Sequence, residues 1–483
     1  MLKKYALAGG MLLLILTANT LRFVNIDRVP HGFQTDEALM GVTLGCLAQD
    51  GSSPLADEKY PLFAHNSYAT PTSPVYLYPG LVWVKFFGIS QASLRSFTAF
   101  AFTIALLGLF AIGCHLGGPR CGLWILLAAS ISPWPWVMTR IAWESLFLLP
   151  FLTWGLYAGL AAQRTWHGLL AGALLAGAAY AYPPGRFQAP LLLLTLGGYG
   201  LSQLRWKIPR AVALAAGFLG ASIPLILLYT TDAALAARFK GISIFNADYL
   251  QGAHGVDAVA RIVAALWTNI LFHVSGDFLF FKGTPVNFTL STGHQGVMGW
   301  LDILAVLLGL GWAAWQLAHK KPIAAPGAPG LLAFLGINIL IGVTPALLTV
   351  LEYPHPLRTI GAWPFAMIAT GFVVHKISGQ WRAMEWLALT AAFLFAIFFL
   401  GTYFRDYPKQ SEGWFSVWTD AEARNAKSDQ DWMAFLYRYH PHMFVSRYYL
   451  MRYHGDSCAE ARATWKKLYP MFEKIAEQQN PSR

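Results

Sequence analysis

A run of mostly apolar residues long enough to cross a bilayer occurs eleven times in this chain. The runs fall at about 5–21, 96–115, 121–139, 145–162, 167–183, 187–204, 211–229, 297–318, 329–350, 358–375 and 383–401. Crossing the hydrocarbon core takes about 20 such residues, and they must be helical because lipid offers the backbone no hydrogen-bond partner. Only 12% of the 483 residues are charged, against about 25% in a soluble domain, so a soluble enzyme is excluded. The expected fold is an all-α polytopic membrane protein of about eleven transmembrane helices. Pro133, Pro135, Pro150, Pro224 and Pro345 lie inside runs, which bundles tolerate where neighbours satisfy the freed backbone groups.

The net charge of +11 and the pI near 9.4 would fit a nucleic-acid binder, but the distribution of the charge excludes one. Lys3, Lys4, Arg120, Arg164, Arg205, Lys207, Arg210, Lys320, Lys321, Lys376 and Arg382 occupy one set of short connections, with Glu385 their single acid. The other 24 basic residues meet 23 acids in the opposite loops and the tail, so that side is nearly neutral. Excess Lys and Arg in short turns fixes the cytoplasmic side. The amino terminus is therefore expected inside and the carboxyl terminus outside. The first run could be a signal peptide, but Ala18-Asn19-Thr20 is a poor cleavage site, which favours an uncleaved anchor.

The same alternation gives a bundle over 1–401 with two large outer loops, 22–95 and 230–296, and a small outer helical tail domain at 402–483. Short apolar-aromatic stretches such as Leu81-Val82-Trp83-Val84 read as helices lying in the interface. Cys46, Cys114, Cys121 and Cys458 show no metal-ligand spacing and no disulfide framework that sequence alone can justify.

Polar groups collect at the outer ends of the runs. Asp36 and Glu37 open the first loop, which also holds His65 and Asn66. Arg95, Arg140, Glu144 and Arg186 stand in later outer turns, Arg238, Asp277 and Lys282 in the second loop, and Glu352, His355 and Arg358 before the tenth run. Each has a plain structural reading. Thr35 can cap a helix with Asp36 and Glu37 in its first turn, single arginines snorkel, and Glu144 can pair with Arg140. Their one-sided convergence suits a substrate with an apolar tail and a phosphate head. Arginine forks grip phosphate oxygens, and a carboxylate takes a proton from an acceptor hydroxyl.

These residues carry a resemblance. Asp36-Glu37-Ala38 at the start of the first loop, Ser73-Pro74-Val75-Tyr76-Leu77-Tyr78 within it, Ser132-Pro133 leading to Arg140, and Tyr182-Pro183-Pro184-Gly185-Arg186 follow one another in order. Phe278-Leu279-Phe280-Phe281-Lys282-Gly283 and Tyr403-Phe404-Arg405-Asp406-Tyr407-Pro408 come later. Over most of 1–410 the chain resembles the GT-C class of membrane glycosyltransferases, in particular bacterial relatives of protein O-mannosyltransferases and lipid A aminoarabinose transferases. The resemblance implies a GT-C-like bundle, a polyprenyl- or dolichyl-phosphate sugar donor, and inversion at the anomeric carbon. It places the active site on the outer face of the bacterial inner membrane. It makes Asp36 the base, with Glu37 supporting it or a metal.

The aminoarabinose transferases carry a lysine about where Thr72 stands here. Donor phosphate is therefore expected on Arg186, Arg358 or Arg238, with His65, Arg140, Glu144, Lys282 and His355 as further pocket candidates. A divalent ion on Asp36, Glu37 and His65 is left open. The acceptor would be a glycolipid, a cell-envelope glycan or a protein. Two other classes compete. A transporter or flippase would carry midplane charges on paired repeats, and neither occurs in the sequence. A polymerase or ligase of lipid-linked glycans would share the outer arginines without needing the early Asp-Glu pair.

Overall fold

The computed structural model describes residues 2–54, 58–66, 71–231, 241–318 and 328–411, and from the tail 414–415, 428, 451, 455–463, 466–467 and 470. Among them there is no strand beyond two isolated bridges; the protein is an all-α membrane protein. The helices in order are α1 (Leu2–Leu21), α2 (Thr35–Gln49), α3 (Pro74–Phe87), α4 (Gln91–Gly117), α5 (Pro119–Ile131), α6 (Pro133–Trp136), α7 (Leu148–Leu160), α8 (Thr165–Ala181) and α9 (Pro183–Ser202). They continue as α10 (Ile208–Thr231), α11 (Ala247–Leu250), α12 (Gly255–Val274), α13 (Trp300–Ala318), α14 (Ala328–Leu347), α15 (Trp363–Gln380), α16 (Arg382–Arg405) and α17 (Tyr407–Gln410).

Ten of the eleven apolar runs each fall mainly on one α-helix, and the run at 121–139 falls on α5 and α6 together. By length and composition six helices can cross a membrane, and the α5–α6 pair, bent by 52°, makes a seventh. That falls short of eleven crossings, because several runs form shorter or less apolar helices, among them Ala6–Leu21 and Glu144–Leu160. One of the six, Gly255–Phe281, was expected to belong to an outer loop. The bend between α5 and α6 has a local cause: Pro133 and Pro135 supply no N–H to the ladder.

The described chain divides into two compact units. The first comprises 1–24, 100–138 and 145–407 and contains most of the apolar helices. Its helices approach closely through glycine. A Cβ on Gly172 would collide with the Leu214 carbonyl oxygen, and one on Gly217 with that of Leu169. The α8–α10 crossing is thus a backbone-to-backbone contact of the small-residue kind. Arg22, at the end of α1, is fully buried between the Phe102 and Trp136 rings, 4.3 and 4.1 Å from their centres, and donates to the Ser130 carbonyl.

The second unit comprises 25–99, 139–144 and 408–483. The described tail residues from 408 on group with the first loop, and most of the small tail domain expected at 402–483 lies outside the described residues. Within this unit Cys46 on α2 is disulfide-bonded to Cys458, 412 residues away, and Arg462 donates to the Ser53 carbonyl. The sequence could not announce that bond, because nothing local links two cysteines so far apart.

Candidate active site

Helix α2 opens the candidate catalytic region. Its cap is Gln34, not the expected Thr35, which is the first helical residue. The Gln34 side-chain oxygen accepts from the N–H groups of Asp36 and Glu37, and the Glu37 carboxylate returns a bond to the Gln34 N–H at 2.9 Å. This reciprocal arrangement satisfies the exposed donors of a first turn. It also separates the two neighbouring acids. Asp36 is solvent-exposed, whereas Glu37 is 0% exposed.

Glu37 accepts four hydrogen bonds. Arg95 grips it through Nε at 2.7 Å and Nη2 at 2.8 Å, and the Ala142 N–H adds a fourth at 2.9 Å. Arg95 is equally buried and spends its remaining donors on the carbonyls of Ile26, Pro30 and Gly32, at 2.8–2.9 Å. All five guanidinium N–H groups are thereby used. Arg140, also 0% exposed, donates to the carbonyls of Asn25 and Val29. Two arginines that could have met phosphate instead clamp the segment after α1 from the backbone side.

Around this clamp, Glu144 accepts from the Ser73 N–H at the start of α3, and Trp143 donates to Gln34 at 3.2 Å. Burial first, then Glu144 and Glu37 nearby, push the Tyr76 phenol upward, so it keeps its proton. His65 is half-buried and bridges to Pro71. Among the described residues no three His, Cys, Asp or Glu side chains are grouped to hold a metal. Both Glu37 oxygens are already engaged, so the residues do not fit a metal on Asp36, Glu37 and His65.

The other candidates lie in the first unit. Arg186, in the first turn of α9, donates to the Tyr229 hydroxyl at 2.8 Å and to the Ala179 carbonyl at 3.3 Å. Arg358 donates through Nη1 to Thr349 at 2.8 Å. His355 accepts the Arg358 N–H at Nδ1 and gives its own N–H to His273 Nε2 at 3.2 Å. Burial and the Arg358 charge push His355 down to about 3, so its ring is neutral at physiological pH. His273 was not among the sequence candidates; it comes from α12, which the hydropathy scan passed over. Lys282 is exposed and paired with Asp277 at 2.9 Å. Arg238 lies outside the described residues.

Comparison with family models gives no match, and no curated protein matches the sequence. Solved structures do. The chain is similar to the oligosaccharyltransferase of Archaeoglobus fulgidus, with 13% identity and a TM-score of 0.49 over 93% of this chain; it spans 60% of that protein's length. It is similar to ArnT from Cupriavidus metallidurans, with 14% identity and a TM-score of 0.49, covering 94% of this chain and 77% of that one. The archaeal protein has been solved with a dolichol-phosphate and an inhibitory peptide, and ArnT with undecaprenyl phosphate. Both likenesses lie below a TM-score of 0.5 and at 14% identity or less.

Proposed function

We propose that this protein is a membrane glycosyltransferase that moves a sugar from a polyprenyl-phosphate donor to an acceptor, with inversion, on the outer face of a bacterial inner membrane. The contrast between the two adjacent acids carries the reading. Glu37 is locked by four hydrogen bonds and holds the helix start in place, while Asp36 beside it is a solvent-exposed residue. A carboxylate held at a rigid, charge-braced helix start and open to solvent is what a general base requires.

In the reaction the acceptor hydroxyl gives its proton to Asp36 as its oxygen bonds to the anomeric carbon. The bond from that carbon to the phosphate oxygen breaks, and the electron pair leaves with polyprenyl phosphate. Phosphate is a good leaving group, so anion stabilisation matters more than acid catalysis. Arg186 and Arg358 would grip the phosphate oxygens through their guanidinium forks. Glu37 and Arg95 position the base and touch no substrate. The Cys46–Cys458 disulfide supports an oxidising, extracytoplasmic setting for the loop and tail that carry it.

The test compares Asp36→Asn with the parent protein, using a radiolabelled polyprenyl-phosphate sugar. Loss of a general base costs about 10²–10⁴-fold in rate, whereas loss of a first-turn helix charge costs only about 0.3–1 kcal/mol of stability. Asp36→Asn should fold, bind donor and transfer sugar at least a hundredfold more slowly, as that range requires. Transfer at the parent rate would make Asp36 a helix-start residue and move the base to Glu144 or Glu352.

A further inference from the structure

Helix α12 exposes large apolar residues along one side. Val256 is 84% exposed, and Val259, Val263, Trp267, Leu271 and Val274 follow at spacings of three and four with exposures of 49–62%. Those spacings place all six on one face. Only Ala265, Asn269 and His273 are buried on this helix, and Asp257, Arg261 and Thr268 are exposed away from the apolar face. The pattern is that of an amphipathic helix.

Its connections decide how such a helix meets a membrane. Before it, Ile244 donates to the Leu348 carbonyl and Val350 to that of Ile242. Near its end, Asn269 donates to the carbonyls of Leu347 and Thr349, and the His355 N–H donates to His273. The segment before the helix and the last turns of the helix therefore meet the same stretch, at one end of α14. Between them the chain turns at Gln251 and Gly252, both at positive φ, and Arg261 donates back to the Leu250 carbonyl. Were α12 to cross the bilayer, its first residue would lie at the far side. The stretch 245–254 would then run through hydrocarbon, with Gln251, Gly252 and His254 exposed and most of its backbone non-helical. Lipid-exposed irregular backbone does not occur at that depth. Length and composition permit crossing; the connection forbids it.

We infer that α12 lies along the bilayer surface at the outer end of α14, with its valine-tryptophan face among the acyl chains and Asp257 and Arg261 toward water. The occupant of this face is the lipid leaflet itself. On α14 itself, Ile337 and Leu340 are also exposed, at 49% and 70%. Trp267 is suited to the interface by its ring and N–H. Docked this way, α12 carries His273 and Asn269 to the segment that holds Arg358 and sets the depth at which that arginine meets a lipid headgroup.

The experiment places nitroxides one at a time along α12 of the full-length protein in vesicles of phosphatidylethanolamine and phosphatidylglycerol. Cys114 and Cys121 are replaced by serine beforehand. Accessibility to oxygen and to a water-soluble nickel complex is then compared by power saturation. Labels at Val256, Val259, Val263, Trp267 and Leu271 should all favour oxygen severalfold and report one shallow depth. Labels at Asp257, Arg261 and Thr268 should favour nickel. A depth that increases toward the middle of the helix would make it a crossing segment, and nickel access on both faces would make it an aqueous loop. Either result overturns the inference. The readout is spectroscopic, so it stands or fails independently of whether the chain transfers sugar.

Discussion

At the scale of single residues, two acids one position apart have opposite fates because of what reaches them. Glu37 is met by Arg95 and by two backbone N–H groups in a buried setting, and a buried pair broken on one side costs about 3–5 kcal/mol. Glu37→Gln and Arg95→Met should each lower the melting temperature strongly and slow transfer by the folded fraction, though less than Asp36→Asn does. Arg95→Lys should recover little, since one ammonium cannot reach three carbonyls and a carboxylate at once. Asp36→Asn should leave the melting temperature within a degree or so, because a surface helix-start charge is worth about 0.3–1 kcal/mol. His355 gives a pH dependence with a definite sign. Its folded pKa near 3 lies below the ordinary histidine value, so between the two the unfolded chain binds a proton that the native chain does not. Stability is then complete above about pH 6.5 and falls as the pH drops, by at most about 1.4 kcal/mol per pH unit from this residue. Melting in detergent from pH 7.5 to 5 should show the loss. His355→Gln, which keeps an acceptor for the Arg358 N–H, should flatten it.

Elements add what residues cannot. The α8–α10 contact depends on missing side chains: Gly217 faces the Leu169 backbone, while Gly220 on the same helix has open space around its Cα. Gly217→Ala should destabilise the protein by about 1–3 kcal/mol through overpacking. Gly220→Ala should be neutral or stabilising, since alanine is the better helix former; equal melting temperatures for the two variants would remove the contact from the argument. Elements also show what a sequence makes legible. All eleven apolar runs became helices because apolar length is a local signal that lipid enforces. Helix α12 was not among the expected runs because Asp257, Arg261, Asn269 and His273 break its apolar sequence into short stretches. The acids of the first loop were readable from their place after α1, but Arg95 and Arg140 were not readable as clamps. Their partners are backbone carbonyls, which no residue pattern announces. Gln34 displaced Thr35 as the cap because its longer side chain reaches the same donors while Trp143 holds its oxygen.

For the whole molecule, charge and cysteine chemistry both bear on the proposed sidedness. The +11 net charge concentrates in the short turns, as an orientation signal does. Cys114 and Cys121, which border one of those turns, are free thiols, whereas Cys46 and Cys458, in the expected outer loop and tail, are paired. Reducing cytoplasm and oxidising exterior would produce that division. A labelling experiment decides it. The exposed Lys409 serves as a probe position on the expected outer side, and the exposed Lys207, between α9 and α10, on the expected inner side. In a background with Cys114 and Cys121 replaced by serine, Lys409→Cys in intact cells should react with an impermeant maleimide. Lys207→Cys should react only after the membrane is opened. The native Cys46–Cys458 pair should become reactive only after a reductant is added. The reverse labelling pattern would put Asp36 in the cytoplasm, where a base facing an outward sugar donor has no role, and the proposed reaction would have to be abandoned.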